Sequence, residues 1–116
     1  MQRPDLQISI TTPGSLLSVS GRLAASTVAD VRAALVAAIS GGTGDLVVDI
    51  ERVELVDASG LGVLVGAHRL ARRSDRRLVL RNTPERIERL LAMTRLNRVL
   101  TLEQVLTLDQ PETVSA

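Results

Sequence analysis

The sequence predicts a single α/β domain with a mixed sheet of four to five strands, covered by three to four helices. Short segments with alternating apolar and polar residues, or with many β-branched residues, are typical of strands. Longer segments with apolar residues at helical spacing lie between them. The chain has 116 residues, a usual length for one domain. We expect one domain over residues 1–116, with a core at about residues 6–108 and a flexible tail at residues 109–116.

The first two strands should form a hairpin. Residues 6–11 alternate apolar and polar side chains, the pattern of a half-buried strand. Residues 12–15 have the composition of a turn, and residues 16–20 return as a second strand. We expect Gly21 to let the chain leave the sheet at that point.

A helix and a third strand should follow. Thr27 and Asp30 fit a capping box, which predicts Thr27 as the N-cap. The glycine-rich residues 40–44 should end this helix. Residues 45–50 then predict a strand, and residues 51–56 a loop. The apolar stripe that should pack on the sheet consists of Val28, Val31, Leu35, Ala38 and Ile39.

The last third of the chain predicts a fourth strand at residues 77–81, a third helix, and a short fifth strand at residues 99–102. Pro84 should occupy the first helical position, and Asn97 should end the helix in a left-handed conformation. Residues 103–108 suggest one last helical segment. Strands joined by helices should be parallel, with right-handed crossovers. The inward-facing residues of the third helix should be Ile87, Leu90, Leu91 and Thr94.

Residues 56–62, Val-Asp-Ala-Ser-Gly-Leu-Gly, connect the third strand to the second helix. We expect Ser59 at the N-cap, because its hydroxyl can accept a bond from an unpaired helical amide. A phosphate on Ser59 would meet the positive end of the helix dipole. Gly60 and Gly62 would let another molecule approach the backbone, and Gly62 with Gly66 should let the helix sit close to the sheet. From these residues alone, Ser59 is either a modification site or only a cap.

Several kinds of catalysis are excluded by composition. The chain has no cysteine and no lysine, so it has neither a thiol nucleophile nor a Schiff-base amine. His68 is the only histidine and lies about 13 Å along the helix from Ser59, too far for a catalytic pair. Metal sites usually draw on cysteine or several histidines. We expect no enzyme activity, no metal and no cofactor, with His68 an ordinary helix residue.

Two alternatives to a purely structural role stay open. The carboxylates of Asp49, Glu51, Glu54 and Asp57 could bind Mg²⁺ or act as acid and base, although acidic loops are commonly only solvated. The glycine-rich residues 40–44 could contact a nucleotide, but the lysine of a Walker A motif is missing. We interpret residues 40–44 as a connector between the helix and the next strand.

Positive charge is concentrated in the second half of the chain, where residues 61–116 hold ten arginines against six acids. A nucleic-acid surface is one interpretation. Cations at the C-terminal end of a helix are the other, and we favour it because no aromatic residue is available to stack on bases. The cluster in question consists of Arg69, Arg72, Arg73, Arg76 and Arg77.

The sequence also bears on location. No apolar segment approaches the length needed to span a bilayer, and the first residues lack the pattern of a signal peptide. The absence of cysteine gives no disulfide framework that would indicate export. We expect a cytoplasmic protein that does not insert into a membrane.

Residues 57–62, Asp-x-Ser-Gly-Leu-Gly, follow an acidic segment and open an apolar helix. This arrangement resembles the STAS family, specifically the bacterial anti-sigma factor antagonists, over about residues 6–106. Residues 21–23, Gly-Arg-Leu, and residues 93–96, Met-Thr-Arg-Leu, add to the resemblance. The resemblance implies a STAS-like fold. It also implies that the serine matching Ser59 is phosphorylated by a partner kinase that is also the anti-sigma factor, and that a phosphatase resets it.

The resemblance further implies that the unmodified protein docks on the anti-sigma factor and releases its sigma factor. Asp57 is expected to shape the turn and contact the kinase, with Leu61 and Val63 as apolar contacts. Ala24 stands where the family often has an acidic residue, which leaves the choice of partner open. The expected contact residues are Gly21, Arg22, Ala24, Asp57, Ala58, Gly60, Leu61, Gly62 and Val63.

A different function would keep the fold and drop the switch. The domain would then be a STAS subunit of a transport system or a scaffold in a signalling complex, and Ser59 would only be a cap. The sequence also leaves a weak homodimer open. It names neither the anti-sigma factor nor the upstream signal.

Overall fold

The computed structural model describes residues 5–103. These residues form a five-stranded sheet, three α-helices and a short 3₁₀ turn. In chain order the elements are β1 (Leu6–Thr12), β2 (Leu16–Leu23), α1 (Val28–Ser40), β3 (Asp45–Val56), α2 (Ala58–Arg73), β4 (Arg77–Arg81), α3 (Glu85–Met93), the 3₁₀ turn (Leu96–Arg98) and β5 (Thr101–Glu103).

The strands lie in the order β1-β2-β3-β4-β5. The β1–β2 pair is antiparallel, and each later pair is parallel. A parallel pair cannot be closed by a tight turn, and the three helices supply the connections between β2 and β5. The predicted mixed α/β fold is therefore confirmed. The segment expected to be helical at residues 103–108 and the tail at residues 109–116 lie outside the described residues, except Glu103, which ends β5.

The hydrophobic core cluster contains only aliphatic side chains, because the chain has no Phe, Tyr or Trp. The predicted stripe of α1 is confirmed: Val31, Leu35 and Ile39 are buried, and Val28 and Ala38 pack against the same cluster. The strands and the other helices contribute the rest of the buried cluster, which includes Leu17, Val19, Leu23, Leu46, Val48, Ile50, Val53, Leu64, Leu78, Leu80, Ile87 and Leu91.

The structure corrects the prediction that residues 51–56 form a loop. They continue β3, because β2 is longer than expected and pairs with them up to Leu23. Gly21 therefore stays in the sheet, opposite Val53. Its φ of +101° is open to glycine, and a Cβ there would lie 2.2 Å from the carbonyl oxygen of Asp5. Glycine is needed at this position for close packing of β1 on β2, and it does not release the chain.

Helix α1 begins after Thr27, as predicted, but the Thr27 side chain does not cap it. The Thr27 hydroxyl donates to the carbonyl of Arg22 at 2.6 Å and accepts from the amide of Ala24 at 3.1 Å. The hydroxyl therefore turns back to the end of β2. These two bonds hold the loop of residues 24–27 against the end of β2.

The ends of α3 also differ from the sequence prediction. Pro84 is the N-cap and not the first helical residue. Thr94 is exposed and its hydroxyl donates to the carbonyl of Leu90. The left-handed residue is Arg95, with φ of 64°, while Asn97 lies inside the 3₁₀ turn.

Arg76 is one of the clustered arginines, but it is only 5% exposed. Its guanidinium donates to the carbonyls of Ala38 and Ile39 at 2.8 and 2.9 Å, and to that of Gly44 at 2.9 Å. It also donates to the carbonyl of Gly14 in the β1–β2 turn. One side chain thus joins the hairpin turn, the end of α1 and the loop before β3. Arg76 is therefore not part of any surface that the other clustered arginines form.

We predict that Arg76→Met lowers the free energy of unfolding by about 3 kcal/mol, because several buried carbonyls lose a charged donor. The matched control is Arg77→Met. Arg77 forms an exposed ion pair with Asp45 at 2.6 Å, and exposed pairs contribute little. Urea unfolding of both variants measures the difference. Equal losses of unfolding free energy in the two variants would contradict the role of Arg76 in joining the three segments.

His68 lies on α2 and is 8% exposed. Its Nδ1 has no hydrogen-bond partner among the described residues. Burial lowers the pKa of His68 below its ordinary value of 6.5, and the charges of Arg72 and Arg69 lower it further. The folded state therefore favours the neutral imidazole.

We predict that the domain loses stability as pH falls below about 6.5. The unfolded state binds a proton on His68 more readily than the folded state, so acidification favours unfolding and the stability is complete only above that pH. Unfolding free energies measured between about pH 7 and pH 5 test this. His68→Leu should flatten the profile; an unchanged slope would exclude His68 as its source.

Candidate functional site

Helix α2 begins directly after β3, and Asp57 is its N-cap. Asp57 has extended backbone angles, and its Oδ1 accepts from the amide of Gly60 at 2.9 Å. The prediction that Ser59 is the N-cap is therefore wrong. Aspartate caps a helix as well as serine, and Asp57 comes first along the chain. Ser59 is the second helical residue and is exposed to solvent.

The second oxygen of Asp57 reaches the loop after β2. Oδ2 accepts from the amide of Ala25 at 3.2 Å, and the Asp57 amide donates to the carbonyl of Leu23 at 3.1 Å. The amide of Gly60 lowers the pKa of Asp57 most, followed by those of Ala25 and Ser59. Asp57 thus stays ionised and joins two loops by hydrogen bonds to backbone amides.

Gly60 fixes the distance between α2 and β2. A Cβ at Gly60 would lie 2.2 Å from the carbonyl oxygen of Leu23, so only glycine fits without displacing the backbone. This contact and the Asp57 bonds bring the loop after Leu23 beside the Ser59 turn. The two segments that carry the expected contact residues therefore lie side by side.

The expected contact residues differ in accessibility. Ser59, Ala58, Gly62 and Arg22 are exposed. Asp57, Ala24, Leu61 and Gly21 are half-buried, whereas Gly60 and Val63 are buried.

Val63 is a core residue, so it is not available as an apolar contact for a partner. Leu61 packs partly against the same core. Gly21 lies within β2 and lines a polar cleft with Gln7 and Glu54. The expected contact residues that remain around Ser59 therefore include few large apolar side chains.

The structure does not support the expectation that Gly62 and Gly66 let α2 sit close to the sheet. A Cβ at either residue would meet nothing within 4 Å, so neither glycine brings α2 close to the sheet. Both glycines line a shallow groove of about 190 Å³ with Val36 and Leu70, between α1 and α2. Because residues three apart share a helix face, Ser59 lies on the same face of α2 as Gly62.

The alternatives based on acidic residues and on the glycine-rich loop find no support in the geometry. Asp49 accepts from the amide of Glu51 and from the side chain of Asn82. Within residues 5–103, no group of three His, Cys, Asp or Glu side chains is placed to hold a metal ion. The loop before β3 presents the carbonyls of Thr43 and Gly44 to Arg76, whereas a phosphate would need amides.

One residue that organises this site was missed from the sequence. Thr27 was expected to cap α1, but its hydroxyl shapes the loop that contacts Asp57. The capping-box pattern was the available signal, and it indicated the residue without its role.

No helix in the described part of the chain is long and apolar enough to span a membrane.

A family model described as Mlab, STAS domain matches residues 6–106. The chain belongs to the STAS family. A relative of this STAS domain, the anti-sigma-B factor antagonist of Staphylococcus aureus strain NCTC 8325, is 32% identical over 92 residues. The match covers 78% of this chain and 85% of the relative.

Solved structures share the fold of this STAS domain. An anti-sigma factor antagonist from Mycobacterium paratuberculosis has a TM-score of 0.75 and 22% identity, with 98% of this chain and 97% of that chain covered. The phosphorylated form of Bacillus SpoIIAA has a TM-score of 0.65 and 20% identity, with 95% and 96% covered. At these identities the likeness concerns the fold.

We predict opposite effects for two neighbouring glycines of the STAS domain. Gly60→Ala should lower the free energy of unfolding by about 1–3 kcal/mol, because the new methyl group overlaps a backbone carbonyl. Gly62→Ala should raise it by about 0.5–1 kcal/mol, because the methyl group meets nothing and alanine favours the helix. Thermal and urea unfolding measure both. A loss of stability in Gly62→Ala would show that this residue packs more closely than described.

Proposed function

We propose that this STAS domain is an anti-sigma factor antagonist that phosphorylation of Ser59 switches off. The unmodified domain binds an anti-sigma factor with serine kinase activity and so releases the sigma factor. The observation that carries the proposal is the exposed position of Ser59 on the first turn of α2. A visiting active site can reach this side chain without any unfolding. The names of the relatives support the antagonist role.

The proposed docking surface is centred on Ser59. It includes Ala58 and Gly62 from α2, Arg22 from the end of β2, and Ala24 from the loop held by Asp57. Small side chains dominate it, so a partner backbone can approach closely. Because hydrogen bonds of Asp57 hold both segments in place, little conformational entropy is lost when the partner binds.

Phosphorylation would add between about 1.5 and 2 negative charges to this surface. The Gly60 amide already donates to Asp57, so it is not free to bind the phosphate. The Asp57 carboxylate, two residues away, would repel the phosphate. Burying a phosphate without a cationic partner costs several kcal/mol, and each 1.4 kcal/mol weakens binding about tenfold. The modification would therefore end binding without a change of fold.

The kinase supplies the chemistry in this proposal. Ser59 Oγ attacks the γ-phosphorus of ATP bound to the kinase with Mg²⁺, its proton passes to a base of the kinase, and ADP leaves. The STAS domain is the substrate, and a phosphatase restores the hydroxyl by hydrolysis. We assign this cycle to the cytoplasm.

We predict that Ser59→Ala binds the anti-sigma factor encoded in the same genome about as tightly as wild type, whereas Ser59→Asp binds at least about tenfold more weakly. Titration calorimetry measures both affinities. Ser74→Asp is the matched control, because Ser74 is also exposed but lies at the other end of α2. It should bind normally.

Incubation of the wild-type domain with the same partner and Mg-ATP, followed by mass spectrometry, tests the modification itself. Phosphate should appear on Ser59 and be absent from Ser59→Ala. Tight binding by Ser59→Asp would contradict the switch. Binding without any phosphorylation would favour the alternative of a STAS scaffold that does not switch.

A further inference from the structure

Strand β1 forms one edge of the sheet and pairs only with β2 among the described strands. Its seven residues, Leu6–Thr12, include no charged residue and no proline. Natural proteins usually protect an edge strand with charges, proline, a bulge or a covering element. The one irregularity in β1 lies at its far end, between Ile10 and Thr12. Most of this edge is therefore regular and uncharged.

The pairing with β2 determines which backbone groups face outward. The Arg22 amide donates to the carbonyl of Asp5 at 2.8 Å, so this pair exchanges hydrogen bonds. Hydrogen-bonded and non-bonded pairs alternate along an antiparallel ladder. Gln7 and Ser9, opposite Ser20 and Ser18, therefore also bond to β2. The amides and carbonyls that point away from the sheet belong to Leu6, Ile8 and Ile10.

The side chains on this edge also lack a complete cover. Ile10 is 66% exposed, which is unusual for a β-branched apolar residue in a strand. Leu6 and Ile8, on the same face of β1, are half-buried against the core. A strand placed beside β1 would cover Ile10, accept hydrogen bonds from the outward amides and donate to the outward carbonyls.

We propose that β1 is a self-association edge at which a second copy of this chain adds its own β1 in antiparallel orientation. The two five-stranded sheets would join into one continuous sheet around a two-fold axis. This proposal concerns a surface outside the docking surface of Ser59, and it does not depend on phosphorylation.

The outward groups select one register. With Ile8 opposite Ile8 of the second copy, Leu6 lies opposite Ile10 of the second copy, and Ile10 lies opposite Leu6 of the second copy. This register uses all three outward residues of both strands. Two bonds for each pair give roughly six hydrogen bonds. Asp5 then lies opposite Thr11 of the second copy, so no like charges face each other.

The other edge of the described sheet explains why the occupant is a second β1. Strand β5 has three residues, and its last residue, Glu103, is paired with Arg81 at 3.2 Å. Pairing β1 with β5 of another copy would use a short, charged strand and would leave open ends that continue to associate. Pairing of β1 with β1 closes after two copies, as most homo-oligomers do.

Sedimentation velocity of the full chain from micromolar to millimolar concentration tests the proposal. The wild-type chain should form a reversible dimer at the higher concentrations. Ile10→Lys should raise the dissociation constant at least about tenfold, because it places an ammonium opposite Leu6 of the second copy. Val36→Lys is the matched control: Val36 is also exposed, at 41%, but lies on α1. It should dimerise as wild type does.

Hydrogen exchange locates the interface independently of any variant. The amides of Leu6, Ile8 and Ile10 should exchange quickly in dilute solution and slowly at concentrations that give a dimer. Those of Gln7 and Ser9 should be protected throughout, since they bond to β2. A chain that stays monomeric would overturn the proposal. So would a dimer that survives Ile10→Lys or leaves the three outward amides unprotected.

Discussion

The arrangement around α2 depends on the two hydrogen bonds accepted by the carboxylate of Asp57. One bond, from Gly60, begins the helix, and the other, from Ala25, holds the loop that follows β2. Because both donors are backbone amides, the geometry does not require any particular side chain in either segment. Without this carboxylate, the helix start and the loop would be joined mainly by the backbone hydrogen bond from Asp57 to Leu23 and by the contact of Gly60 with Leu23. The exposed serine therefore owes its fixed position to its acidic neighbour.

A charged side chain has a similar structural role near the C-terminal ends of α1 and α2. Arg76 donates to carbonyls of three separate segments. Asp57 likewise accepts from amides of two separate segments. A domain filled only with aliphatic side chains lacks the polar edges of tyrosine or tryptophan that could satisfy backbone groups in tight loops. Two buried or half-buried charged residues satisfy those groups here, one at each end of the sheet.

Most of the fold was predictable because it depends on local patterns. Periodicity identified all five strands, and the crossover rule gave the parallel order of β2 to β5. The failures involve contacts that are distant in sequence. Residues 51–56 form a strand only because β2 runs to Leu23, and Arg76 differs from its neighbouring arginines only through carbonyls more than thirty residues away. At the site, the Asp-x-Ser spacing offered two capping residues, and local preference could not choose between Asp57 and Ser59.

The assignment of the cap to Asp57 changes how the proposed switch would act. If Ser59 were the cap, a phosphate on it would replace a hydrogen bond of the helix and could alter the start of α2. With Asp57 as the cap, the Ser59 hydroxyl is not needed for the helix to begin, so its modification would leave the backbone hydrogen bonds intact. The phosphate would then act mainly through the charge and size of the surface that a partner meets. The proposed switch would therefore act on binding affinity and would leave the fold unchanged.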